Sequence, residues 1–101
     1  MFATVTHYRL NPIFEQDFLR EWNKQVLHLK TQKFLSSSVL HRESKISYVS
    51  YTRWLSKELF DQNLNEPDEL VYKSQLKIEN CCNSISIPYR LYTLKEVTIN
   101  D

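Results

Sequence analysis

No glycine occurs anywhere in these 101 residues. Average usage is about 7%, so roughly seven would be expected in a chain of this length. Every turn must therefore be made with Asn, Asp, Ser, Lys or Pro. Whole motif classes fall away as well. A P-loop, a G-x-G-x-x-G turn and a G-x-S-x-G elbow each need glycine where the backbone approaches a phosphate or turns sharply. Nucleotide binding by those routes is excluded.

The length supports one domain spanning 1–101, because domains commonly run to about 100–150 residues. A chain of this size buries only about two-thirds of its unfolded surface, so covering one more face in a dimer would help it. Aromatic residues reach 13%, with six Tyr, five Phe and two Trp, which suits strand-rich structure with large packed side chains. The net charge is +1 from 13 basic and 12 acidic residues. No stretch is strongly one-signed, so neither a nucleic-acid nor an anionic-membrane partner is expected. Met1 to Arg9 alternates apolar and polar residues with no long apolar run after it, so neither a signal peptide nor a membrane span is expected. The two cysteines, Cys81 and Cys82, are adjacent, a poor arrangement for a structural disulfide. Free thiols and a cytoplasmic location are the expectation.

Phe2 to Leu10 reads as a strand, stopped by Asn11-Pro12, with Asn as N-cap and Pro at the first helical position. The helix that follows runs to about Lys30. Phe14, Phe18, Trp22, Val26 and Leu29 form one apolar stripe on it. Acidic Glu15 and Asp17 lie early in it and His28 and Lys30 late, as the helix dipole favours. Phe34–Arg42 and Ile46–Trp54 read as two strands joined by Glu43-Ser44-Lys45. Ser56 reads as an N-cap for a short helix to about Asn63, and a further helix spans Pro67 to about Glu79. Asn80 to Ser86 reads as a polar loop, and Pro88 opens a last strand from Tyr89 to about Ile99 with Leu91, Val97 and Ile99 in phase. The order β-α-β-β-α-(α)-β predicts an α+β, ferredoxin-like βαββαβ fold: a four-stranded antiparallel sheet with helices on one face. Its other face must be solvated, hold something flat, or be covered by a partner.

The run Tyr48-Val49-Ser50-Tyr51-Thr52-Arg53-Trp54-Leu55-Ser56-Lys57-Glu58-Leu59-Phe60 resembles the strand-three-to-helix-two signature of the antibiotic biosynthesis monooxygenase (ABM) superfamily. In that signature a Trp closes the strand, and Ser with charged residues opens a helix holding an aromatic. A first strand ending Tyr8-Arg9-Leu10-Asn11-Pro12 and a long helix ending before Phe34-Leu35-Ser36-Ser37 agree in order. The resemblance implies a homodimer whose sheets close into a dimeric α/β barrel, each subunit with its own pocket between sheet and helices. It implies one of several activities: cofactor-free oxidation of polyphenolic aromatics, haem degradation, or isomerisation of a small metabolite. The haem-degrading set requires an Asn on strand one and a His after helix two. Here Tyr8 stands at the Asn position and no His follows His41, so that branch is disfavoured.

Of the activities the resemblance implies, the preferred one is a cofactor-independent monooxygenase acting on a small aromatic or polyphenolic compound, with no cofactor; His7, His28 and His41 lie on separate elements without short ligand spacing, so no metal is expected. Trp54, Tyr48 and Tyr8 are the substrate-binding candidates, and His41, His7 and Tyr8 the proton-handling candidates. Each also has a plainer reading: Trp54 as a core anchor, Tyr8 as a cross-strand partner, His41 as a strand-end residue. Tyr8 should lie near Ile46 or Tyr48 and Trp54 near Phe2 or Thr4, roughly 20 Å apart at about 3.3 Å per residue. They can bound opposite ends of a long pocket but not meet at one atom. His7 and Tyr8, being consecutive in a strand, face opposite sides of the sheet. Ser36-Ser37-Ser38 either leaves room for a ligand or is polar filler in a half-solvated strand. Two rivals share the element order. One is a non-catalytic ligand-binding or interaction module on the same dimeric scaffold. The other, an RNA-recognition domain, lacks its glycine and its basic surface.

Overall fold

A computed structural model describes residues 1–97. The chain forms β1 (Phe2–Leu10), a 3₁₀ turn (Pro12–Phe14), α1 (Glu15–Thr31), β2 (Leu35–Ser44), β3 (Ser47–Trp54), α2 (Lys57–Asn65), α3 (Glu69–Cys81) and β4 (Cys82–Tyr92). The strands make one antiparallel sheet in the order β2-β3-β1-β4. The three helices lie on one side of it. This is the ferredoxin-like α+β architecture that the element order predicts. The sheet is open, with β2 and β4 as its edges.

The caps follow from the sequence. Asn11 accepts a hydrogen bond from the Ile13 N–H at 3.3 Å ahead of Pro12. Ser56 caps α2 through the Leu59 N–H at 3.1 Å, and Asp68 caps α3 through the Val71 N–H at 2.9 Å. Asp68 also meets His28 at 2.6 Å. His28, near the end of α1, thus ties that end to the start of α3. The Val71 N–H first, and His28 second, hold the Asp68 carboxyl below its usual value. The stability from this contact is therefore present above the unfolded carboxylate range and fades as acid protonates Asp68.

Three boundaries differ from the sequence reading. The polar loop expected over Asn80–Ser86 does not exist: α3 continues to Cys81 and β4 starts at Cys82 with no loop between them. Pro88 lies inside β4 rather than opening it. It is tolerated because β4 is an edge strand and its pairing with β1 shifts register there, between Val5–Tyr89 and His7–Ser86. The strand ends at Tyr92, short of the expected Ile99. Val97 is exposed, and Ile99 lies outside the described residues.

The serine run in β2 supplies hydrogen bonds. Ser36 Oγ donates to the Arg53 carbonyl at 3.2 Å beside an irregularity between Leu35 and Ser37, and Ser38 shares a 2.7 Å bond with Thr52 Oγ1.

The missing glycine is felt at one place. α1 ends in a Schellman arrangement: Phe34 N–H donates to the Leu29 carbonyl and Lys33 N–H to the Lys30 carbonyl, each at 3.0 Å. The arrangement needs a left-handed residue, and Lys33 takes it with φ of 62°. Phe34 then packs against the core cluster containing Leu29. A side chain with a Cβ resists this conformation by about 1–2 kcal/mol, and the packing of Phe34 holds it in place. Lys33→Gly is expected to stabilise the protein by about 1 kcal/mol, raising the melting temperature by ~4–8 °C. Thermal melts followed by circular dichroism test this; an unchanged or lower midpoint would show that Lys33 carries no strain.

Candidate active site

The core is not one continuous mass. Phe2, Leu29, Leu35, Trp54, Phe60 and Val71 form a cluster at one end of the sheet. Tyr8, Leu10, Phe18, Tyr48, Ile78 and Cys81 form another at the opposite end. Between sheet and helices lies a cavity of about 350 Å³ that reaches both clusters. That volume is within the common range for small-molecule sites.

The strands dictate its floor. Residues of β1 and β3 alternate between the two faces, and the cavity-facing positions carry Thr4 and Thr6 on β1 and Ser50 and Thr52 on β3. Thr4 pairs with Thr52 and Thr6 with Ser50 in the ladder, so four hydroxyls form a patch in the middle of the floor. Ile85 and Ile87 of β4 flank it. The roof comes from α1 and α3, where Gln25 Nε2 donates to both Ser74 Oγ and Gln75 Oε1 at 3.1 Å. Trp22 and Val26 of α1 add apolar surface, α2 closes the Trp54 end with Phe60, Asn63 and Leu64, and Glu79 of α3 brings a carboxylate to the wall.

Trp54 and Tyr8 both line this cavity. Trp54 pairs with Phe2 and Tyr8 with Tyr48, so six residues of strand, about 20 Å, separate their backbones. Trp54 is only 6% exposed. Its indole N–H donates to Thr4 Oγ1 at 2.9 Å, and its ring packs on Phe60 with centroids 5.2 Å apart. The same side chain is thus core anchor and cavity wall. Tyr8 packs edge-on against Phe18, centroids 5.0 Å apart. Burial raises its phenol above the usual value of 10.0, while Ser50, Trp22 and Thr6 pull the other way. It remains a protonated donor at neutral pH rather than a base.

The other three candidates lie elsewhere. Tyr48 is buried in the cluster beyond the Tyr8 end, against Phe18, and its hydroxyl accepts from Arg42 Nε at 3.1 Å. It is absent from the described cavity wall. His7 points to the helix-free face of the sheet, bonded to Ser47 Oγ at 2.6 Å. His41 is in register with Val49, which is in register with His7, so both imidazoles belong to that opposite face. Among the described residues, the cavity wall holds no histidine or cysteine, and a haem seated there would lack its imidazole or thiolate ligand. Both thiols are also held protonated. Burial raises Cys81, and burial with Cys81 and Glu79 pushes Cys82 up to about 11, which disfavours a redox-sensing role. Sequence reasoning missed the hydroxyl floor, although Thr4, Thr6, Ser50 and Thr52 sit at alternate positions of two strands. It also missed Glu79, whose place on the wall follows from helix packing alone.

No family model matches the sequence, and no curated protein matches it. The fold does match solved structures. SnoaB, a cofactor-independent oxygenase from Streptomyces nogalater, superposes with a TM-score of 0.77 at 13% identity, covering 95% of this chain and 95% of that one. A Caulobacter crescentus protein described as a candidate antibiotic biosynthesis monooxygenase gives 0.80 at 10% identity, over 93% and 90% of the two chains. Rv0793 from Mycobacterium tuberculosis gives 0.78 at 11% identity, over 96% and 98%. The chain therefore has the fold of the ABM superfamily.

The raised Tyr8 phenol sets a pH dependence. A group that ionises less readily folded than unfolded contributes fully below the unfolded value of 10.0, and this contribution is lost as the pH rises through the folded one. Stability should fall steeply above about pH 10. Tyr8→Phe, which cannot ionise, should flatten that limb. Urea unfolding at pH 8 and pH 11 checks this; an identical alkaline loss in both proteins would mean the Tyr8 phenol is not shielded.

Proposed function

We propose that the protein is a cofactor-independent monooxygenase of the ABM type that oxidises a small aromatic or polyphenolic compound, working as a cytoplasmic homodimer. The observation that carries this reading is the cavity itself: aromatic at both ends through Tyr8, Trp22, Trp54 and Phe60, with hydroxyls across the middle of its floor. Such a wall suits a planar ring system bearing oxygen substituents. Rings pack against the aromatic ends, and Thr4, Thr6, Ser50 and Thr52 offer donors and acceptors to phenolic oxygens. The fold shared with a cofactor-independent oxygenase supports the same reading, and the two free thiols fit a reducing compartment.

In this chemistry the substrate is its own reductant. A phenolic proton is removed, and the phenolate carbon joins O₂ after giving up an electron. The new C–O bond survives while the O–O bond breaks, giving a quinone and one water from one phenol and one O₂. The protein supplies orientation, a dry site and a base. Glu79 is the carboxylate on the described wall and takes the base's place, with the protonated Tyr8 phenol as a donor to a substrate oxygen. The expected outcome is O₂ uptake with a hydroxylated anthrone, equimolar with quinone formed. Glu79→Gln should lower kcat by about 10²-fold or more. Saturable binding of the anthrone without O₂ uptake would favour the ligand-binding module instead, a reading supported by the absence of any imidazole from the wall.

The homodimer is supported by the helix-free face. Val39, Tyr51, Val5 and Tyr89 stand in register across all four strands, and Val39, Tyr51 and Tyr89 are 47%, 40% and 58% exposed. Leu91, 46% exposed, extends the patch along β4. An apolar row across a whole sheet is costly in water and fits a second copy of the same face. Light scattering should give twice the monomer mass. Tyr51→Glu should give monomers with unchanged far-ultraviolet circular dichroism; a wild-type monomer at high concentration would remove the dimer from the proposal.

A further inference from the structure

On the roof of the sheet–helix cavity, the Gln25 side chain of α1 is pinned from one end. Its Nε2 donates to two acceptors on α3, Ser74 Oγ and Gln75 Oε1, each at 3.1 Å. Ser74 is buried, and its single hydroxyl proton goes to the Val71 carbonyl at 3.1 Å. Toward Gln25 the Ser74 oxygen therefore only accepts. Were the Gln25 amide turned over, its oxygen would meet the Ser74 oxygen with no proton between them. The nitrogen thus faces α3, and both of its protons are used.

The amide oxygen is left over. Among the described residues Glu21 Oε2 is the one sealed side-chain oxygen or nitrogen without a partner. Gln25 Oε1, for which no donor stands within reach in its network, is therefore open rather than sealed. Gln25 is half-buried and lines the cavity beside Trp22 and Val26 of the same helix. Its chemistry differs from that of the floor. The hydroxyls of Thr4, Thr6, Ser50 and Thr52 belong to a type that rotates to donate or to accept, whereas a pinned carboxamide oxygen accepts only. It has a partner in an O–H group and none in an ether oxygen.

We infer that Gln25 Oε1 is a specificity-determining acceptor, selecting ligands with a free phenolic hydroxyl toward α1 over their O-methylated counterparts. This role rests on the reading of the cavity as a site for an oxygen-substituted aromatic ring. It adds which substituent the roof demands. Ser74 and Gln75 are positioning residues, acting through the Gln25 amide. An O-methyl group at that place strips water from the Gln25 oxygen and leaves it unpaired, which is the costly outcome for a buried polar atom.

Calorimetric titration of the protein at pH 7 under nitrogen, with 2-naphthol and with 2-methoxynaphthalene, tests the role without turnover. The wild type should bind 2-naphthol tighter by about tenfold or more. Gln25→Leu should make the two affinities nearly equal, by weakening 2-naphthol while 2-methoxynaphthalene binds as well as before or better. Ser74→Ala, which frees the amide but keeps the Gln25 oxygen, should narrow the preference several-fold. It removes one hydroxyl from a helix and serves where Gln25→Leu fails to fold. Equal affinities in the wild type, or an undiminished preference in either folded variant, would overturn the role of Gln25 while leaving the aromatic site standing. Saturable binding of neither compound would overturn the role and the aromatic site together.

Discussion

The register between β1 and β3 governs the site. Pairing Phe2 with Trp54 and Tyr8 with Tyr48 puts large aromatic residues at the two ends of one antiparallel pair. The residues between them on the helix side are then Thr4, Thr6, Ser50 and Thr52. Large side chains at the ends keep the helices packed there, while small hydroxyl-bearing ones in the middle leave space beneath α1 and α3. A cavity at that place is a consequence of side-chain volume along two strands. A one-residue slip of β1 would turn Thr4 and Thr6 outward and bring Val5 under the helices. The hydrogen bond from the Trp54 indole to Thr4 opposes such a slip, because it joins the two strands through a buried donor that would otherwise be unpaired.

Much of this was legible in the sequence, for reasons particular residues make clear. β1 and the N-caps at Asn11 and Ser56 are signalled by strand-forming composition and by residues whose side chains accept N–H bonds. Placing Tyr8 near Tyr48 and Trp54 near Phe2 needed only the strand order and a count of residues. β4 was harder. Ser84-Ile85-Ser86-Ile87 alternates with period two, as a half-buried strand should, but Pro88 and the polar residues around the cysteines point to a loop. An edge position and a register shift make Pro88 harmless, and neither is visible without the sheet order. The apolar stripe on α1 was legible at Phe18 and Leu29, both buried, whereas Phe14 is exposed and the charged Glu21 is buried instead. A helix facing both a sheet and another helix buries residues off its main stripe, and the position of α3 is a tertiary fact.

The absent glycines limit what the chain can do at its turns, and the structure answers in two ways. Where a left-handed residue is unavoidable, after α1, Lys33 accepts the strain and Phe34 secures it through the core. Elsewhere among the described residues left-handed turns are avoided: α3 passes into β4 between Cys81 and Cys82, the latter with extended backbone at φ −115° and ψ 147°. This abrupt junction holds Cys81 against the second cluster and fixes where the last turn of α3 ends.

The two faces of the sheet have divided the chemistry between them. Tyr8 and His7 are neighbours in sequence, yet one phenol is sealed beneath the helices while the other side chain stands on the bare face with His41 and a row of valines and tyrosines. Proton-handling groups chosen by residue type alone therefore mixed two surfaces. An imidazole on the bare face cannot reach a substrate in its own subunit's cavity, because the sheet lies between them. In the oxidation proposed above, proton transfer therefore falls to groups the helices bring down, Glu79 foremost, while the strands give the cavity its shape and hydroxyls. The histidines, set in register on either side of Val49, instead share the bare face, the one on which the proposed second copy would dock.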